Sequence, residues 1–135
     1  IIDESGRNYY ALYFDEKNKS GCSFEEGFYV TKDNAISFLE EKLELLGFTE
    51  REANEFIMYW LPLLESNEQS IVYFEQTEER NINCPLEFSI TPDSILRTMI
   101  HIKKVDSYTQ IKEQELYSFE RNGFCLVEWG GTTYN

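Results

Sequence analysis

Positive charge is scarce in this chain: 12 Lys and Arg stand against 25 Asp and Glu, a net charge of −13. Nucleic-acid binders use cations to displace counterions from phosphates, so this field argues against a nucleic-acid partner. It argues equally against docking on anionic lipid. Histidine occurs once, at His101, and the three cysteines, Cys22, Cys84 and Cys125, are far apart with no C-x-x-C pair. That set does not supply zinc ligands at their usual spacing. An odd count leaves at least one thiol free unless it pairs between chains, and so few cysteines do not identify a compartment. No run of 18 apolar residues exists, so no membrane-spanning segment is expected. Glycine-rich phosphate loops are also lacking. The stretch Asp15 to Glu26 has the length of an EF-hand loop, but Lys17 and Lys19 stand where oxygen ligands are needed and Ser20 replaces the required Gly. No motif calls for a cofactor.

Aromatic residues, in contrast, are plentiful: ten Phe, nine Tyr and two Trp, within a 41% hydrophobic total. A disordered chain lacks that supply, so the charged residues must coat a folded body. With 135 residues the chain suits one domain, residues 1–135, and is long enough to bury roughly two-thirds of its unfolded surface in one core. It opens at Ile1-Ile2-Asp3 without an initiator Met or a signal-peptide pattern, which suggests a processed protein or an excised domain.

Hydrophobic periodicity predicts the elements. Tyr9 to Phe14 reads as a short strand, then a polar loop over Asp15 to Ser23, then a strand over Phe24 to Val30 with Gly27 marking a bulge or a close approach. From Asp33 to Leu46, Ala35, Ile36, Leu39, Leu43 and Leu46 recur at helical spacing. Thr31 or Asp33 is placed to cap this helix and Gly47 to end it. Thr49-Glu50-Arg51-Glu52 is a capping box that opens a second helix, whose stripe is Ala53, Phe56, Ile57, Trp60, Leu61 and Leu64. Pro62 predicts an end or kink near Tyr59 to Leu61. The two helices form an αα-hairpin with outward Glu40, Glu41, Glu44, Glu50 and Glu55.

Beyond the helices the period changes to two. Ile71 to Gln76 and Leu86 to Ile90 read as strands, Thr91-Pro92-Asp93-Ser94 as a turn, and Ile95 to Ile102 as the return strand. Lys103 to Glu115 is polar and carries no clear signal. Asn122-Gly123 predicts a type I′ hairpin between Phe119-Glu120-Arg121 and Phe124-Cys125-Leu126, the last strand running to Trp129 and closing at Gly130-Gly131. The expected fold is α+β: a mostly antiparallel β-sheet with an inserted amphipathic αα-hairpin packed on one face.

Candidate chemistry is sparse. A Cys125–His101 pair is conceivable on adjacent strands, but a Cys in an apolar strand usually behaves as an inert hydrophobe, and His101 reads as a half-exposed residue on the sheet's polar side. Glu87, Glu120 and Glu128 are explained by a solvated strand edge more readily than by acid–base work. The acidic run Glu75 to Glu79 specifies no calcium geometry, and the Asn18-Lys19-Ser20 sequon is too short to carry weight. Arg97 stands out because it interrupts an apolar strand. Such a residue takes a carboxylate or an aromatic partner, and an Arg97–Glu128 cross-strand pair that fixes register is the structural expectation. The functional alternative makes Arg97, Glu128 and Trp129 part of a ligand-binding surface. Tyr59 falls off the stripe that holds Trp60 and is expected to be exposed, which adds it to the candidate binding residues.

Four segments, in matching order, resemble an uncharacterised bacterial domain. They are Gly27 to Asn67 (with Phe38-Leu39-Glu40-Glu41-Lys42 and Ala53-Asn54-Glu55-Phe56-Ile57-Met58-Tyr59-Trp60-Leu61-Pro62), Ile90-Thr91-Pro92-Asp93-Ser94-Ile95-Leu96-Arg97, Phe119-Glu120-Arg121-Asn122-Gly123-Phe124, and Glu128-Trp129-Gly130-Gly131. The resemblance implies an exported or envelope-attached bacterial protein with no assigned reaction and no catalytic residues to carry over. At Cys125 the resemblance leads us to expect Thr or an apolar residue. The expected function is therefore a non-enzymatic interaction or structural module with a protein partner. The rival is a small hydrolase-like enzyme using carboxylates in a cleft between sheet and helices, and a cation-dependent domain is a third class.

Overall fold

The computed structural model describes residues 1–17 and 21–135; the Asn18-Lys19-Ser20 sequon lies outside the described residues. The elements run in order: β1 (Glu26–Thr31), a 3-10 turn (Lys32–Asn34), α1 (Ala35–Leu46), α2 (Glu50–Glu65), β2 (Gln69–Glu75), α3 (Thr77–Asn83), β3 (Ser94–Lys104), β4 (Lys112–Glu113) and β5 (Cys125–Tyr134). The strands form one sheet in the order β4-β1-β2-β3-β5. The class is α+β as expected, but the sheet is mixed rather than mostly antiparallel. β1 and β3 flank β2 in antiparallel ladders, whereas β4 joins β1 and β5 joins β3 in parallel. The β3–β5 ladder, from Ser94↔Cys125 to Lys103↔Tyr134, spans all but the last residue of β3.

The core forms because two kinds of period meet. Val72 and Phe74 of β2, Leu96, Ile100 and Ile102 of β3, and Phe28 and Val30 of β1 are buried in one cluster with Ala35, Leu39, Leu43 and Leu46 of α1 and Phe56, Trp60 and Leu64 of α2. Side chains two apart along a strand share a face, and those three or four apart share a helix stripe, so both sets meet one another. Gly47 ends α1 at φ 93° and the capping box opens α2. Thr49 Oγ1 accepts from the Glu52 amide at 3.3 Å, while Glu52 Oε2 accepts from the Thr49 amide at 3.0 Å. Thr31 is the N-cap of the 3-10 turn that runs into α1, in a capping box where Asn34 Oδ1 accepts from the Thr31 amide at 2.8 Å, and Asn34 is the N-cap of α1 itself. Ile36 and Leu45 remain exposed.

Several expected elements are corrected. Tyr9 to Phe14 forms no strand; Tyr10 instead donates its hydroxyl to Glu55 at 3.0 Å under the Arg51 guanidinium, 4.4 Å from the ring. Pro62 does not end α2, which continues to Glu65 because Leu64 is buried in the core and anchors the turn beyond the proline. Leu86 and Phe88 are half-buried but Ile90 is exposed, and the segment joins no ladder; β2 lies beside β3 instead. The Asn122-Gly123 hairpin is also missing. Gly123 has a positive φ of 56° but Asn122 does not, so the type I′ geometry fails. These residues instead dock on the start of β3: Asp93 accepts from the Phe124 amide at 2.7 Å, and the Ser94 hydroxyl donates to the Asn122 carbonyl at 2.7 Å. β5 does not close at Gly130-Gly131 but runs through them to Tyr134.

Candidate functional site

Alternation along β3 assigns its side chains to two faces. Leu96, Thr98, Ile100 and Ile102 go to one side; Arg97 and His101 go to the other, where polar side chains are held nearly dry. Arg97 is only 1% exposed. Its Nε donates to Glu128 Oε2 at 2.6 Å, and its Nη1 donates to Asn81 Oδ1 at 2.9 Å and the Cys84 carbonyl at 2.8 Å. Arg97 and Glu128 are register partners across β3 and β5, which is the cross-strand pair the sequence suggested. α3 closes over them with a second guanidinium. Arg80 Nε lies 3.7 Å from Glu128 Oε2, and its Nη1 donates to Glu16 Oε1 at 2.6 Å. The Cys84 thiol donates to the other Glu16 oxygen at 2.5 Å.

A second cluster adjoins the first. His101 Nε2 lies 3.2 Å from Glu75 Oε2, its Nδ1 is 2.9 Å from the Tyr134 hydroxyl, and Asn83 donates to Glu75 Oε1 at 2.8 Å. His101 is therefore buried, not half-exposed as its place on a polar face implied, because α3 and the end of β5 cover it. Cys125 is no partner for it: Cys125 registers with Ser94, whereas His101 registers with Thr132. Glu87 and Glu120 lie exposed, away from both clusters.

These contacts set the ionisation. Burial pulls the Glu75 carboxyl upward, but hydrogen bonds from His101 and Asn83 and the charge of Arg80 outweigh it, so its pKa falls below the usual carboxylate value. Glu16 behaves likewise: burial raises it, and the Cys84 thiol and the Arg80 hydrogen bond and charge lower it further than that. Burial and then Glu16 push the Cys84 thiol up, which keeps it protonated and poorly nucleophilic. All three cysteines are free thiols.

The remaining sequence candidates sit elsewhere. Trp129 follows Glu128 and so points to the opposite face, its ring 5.4 Å from Phe56 and 6.2 Å from Tyr59. Tyr59 is 58% exposed and stacks edge-on against Trp60 at 4.9 Å. The four candidates thus form two pairs: Arg97 with Glu128 under α3, and Tyr59 with Trp129 beside α2. Met58, Tyr10, Leu12, Tyr13 and Phe14 are further exposed apolar side chains. Tyr10 is tied to Glu55, one turn before Met58 and Tyr59 on α2. An open groove of about 360 Å³ lies at the β4–β1 edge of the sheet, between β1, α1 and residues 108–113. It holds Tyr29, Phe38, Lys42 and Tyr108, but neither Arg97 nor Glu128.

Arg80, Glu16 and Tyr134 were not singled out from the sequence, and Glu75 entered only as the start of an acidic run. Arg80 sits in Thr77-Glu78-Glu79-Arg80, which looks like solvated charge; no apolar stripe marks that helix, and Arg80 is its buried residue. Among the described residues no group of three or more His, Cys, Asp or Glu is placed to hold a metal ion, and no helix is long and apolar enough to cross a membrane. The chain matches no family model, no curated protein and no solved structure.

Proposed function

We propose that this chain is a non-enzymatic interaction or structural module of an exported or cell-envelope bacterial protein, and that it meets a protein partner through the Tyr59–Trp129 surface. One observation carries this reading: the charged groups suited to chemistry are turned inward and bonded to one another, while Tyr59 and Met58 are turned outward over a half-buried Trp129. Aromatic side chains bury large area at low entropic cost and dominate recognition surfaces. Tyr59, with Met58 beside it and Trp129 beneath, supplies such a platform. In this reading α1 and α2 act as an amphipathic hairpin laid on one sheet face, which makes the platform rigid. The compartment rests on the resemblance of the four segments alone. On the other face, the Arg97–Glu128–Arg80 network holds β5 in register and fixes α3.

Photo-crosslinking tests the surface. A benzophenone side chain placed at Tyr59 should give a discrete adduct in a bacterial envelope extract, and the same group at exposed Tyr117 should not. Equal labelling from both positions would sink the reading. So would turnover of a chromogenic ester, glycoside or peptide that Glu128→Gln abolishes.

A further inference from the structure

We propose that Arg80, with the Cys84 thiol beside it, forms a carboxylate-binding site that Glu16 occupies in cis. The two oxygens of Glu16 are bonded separately, Oε1 by Arg80 Nη1 at 2.6 Å and Oε2 by the Cys84 thiol at 2.5 Å. Two donors on two oxygens match the planar shape of a carboxylate. Both donors come from the folded body: Arg80 from α3, and Cys84 from its C-cap, whose carbonyl is itself fixed by Arg97. The occupant does not. Residues 10–17 contain no regular element, Asp15 and Lys17 on either side of Glu16 are exposed, and the Glu16 side chain is 34% exposed although the guanidinium it meets is only 6% exposed. The receptor is thus built by the fold, and the carboxylate reaches it from the solvent side.

The charges favour such an occupant. Arg80 and Arg97 place two buried guanidinium groups around Glu128, whose Oε2 lies 2.6 Å from Arg97 and 3.7 Å from Arg80. Arg80 Nε and Arg97 Nη2, both on side chains at least nine-tenths buried, make no hydrogen bond among the described residues. Glu75 also faces Arg80 electrostatically, but its oxygens are taken by His101 and Asn83. With Glu16 withdrawn, Arg80 keeps a desolvated positive charge with no hydrogen-bonded carboxylate, a costly state that any carboxylate able to reach it relieves. The ligand is either a small free carboxylate or the acidic side chain of an extended segment supplied in trans.

Chemical rescue tests this. Glu16→Ala should melt several degrees below wild type, and about 0.1 M sodium acetate should restore roughly half of that loss, as expected when a ligand binds only the folded state. Sodium chloride at the same ionic strength should not, and wild type should ignore both. A peptide copying residues 10–17 provides the second arm. Rescue by acetate assigns recognition to the carboxylate, whereas rescue by the peptide alone assigns it to an acidic segment. Adding Arg80→Met to Glu16→Ala should abolish the rescue, and adding Cys84→Ala, which should weaken it, serves if the Arg80→Met variant fails to fold. A melting point of Glu16→Ala that acetate moves no more than chloride does, and that the peptide leaves unchanged, overturns the proposal.

Discussion

Gly131 shows how much one missing methyl group decides in this fold. A Cβ there would stand 2.2 Å from the Ile100 carbonyl oxygen and 2.9 Å from Trp60 Cζ2, between a backbone and the largest side chain of α2. Gly131→Ala should therefore destabilise by about 1–3 kcal/mol, the ordinary cost of overpacking a core, and urea melts would show it as a lowered midpoint at unchanged slope. From the sequence, Gly130-Gly131 signalled a strand end, because glycine weakens strands. The signal was real but its meaning differed: Gly131 admits Trp60 of α2 and Gly130 lies against Met99, and neither stops the ladder. Arg97 was more legible, since a charge inside an apolar strand demands a partner and Glu128 lay within an alternating strand. Arg80 gave no such signal, because a basic residue among Glu78, Glu79 and Asn81 looks solvated until α3 is folded onto the sheet.

At the scale of elements, α1 and α2 were legible because their apolar stripes and end signals agree. Thr49 and Gly47 punctuate them as their chemistry requires. Replacing Thr49 by Ala removes the hydroxyl that accepts from the Glu52 amide and should cost about 1 kcal/mol, read as a lower melting temperature with unchanged helix content below the transition. Pro62 misled because its local propensity to break a helix opposes Leu64, the last residue of the same apolar stripe, and the burial of Leu64 holds the final turn. α3 was missed because it presents one buried residue and that residue is charged. Leu86 to Ile90 shows the reverse error: Leu86 and Phe88 turn partly inward without a neighbouring strand to pair with, and Ile90 stays exposed.

The whole molecule departs furthest from the sequence reading in its pairing. Asn122-Gly123 favours a local hairpin, yet residues 122–124 are bound by Asp93 and Ser94, and β5 is carried parallel to β3. Parallel partners lie far apart in sequence, so no short-range turn announces them. The net charge of −13 also acts at this scale, because acidification relieves repulsion while it protonates the paired carboxylates. Glu75 has a folded pKa below its unfolded value, so the unfolded chain binds more protons in the acidic range. Its stabilisation is present above the unfolded value and is lost as pH falls through the folded one. The gap in stability between wild type and Glu75→Gln should be constant above about pH 5.5 and shrink below about pH 4.3 in denaturant titrations. A gap unchanged down to pH 3 would show that the fold as a whole does not favour the ionised Glu75 carboxylate.

The two tryptophans of the chain meet the same ring, Phe56, at the contact of α2 with β5. Ultraviolet emission from the intact molecule consequently monitors that single seam. Loosening of the Arg80 side would leave the tryptophan signal unmoved, so the two faces of the sheet need separate reporters if their opening is to be timed.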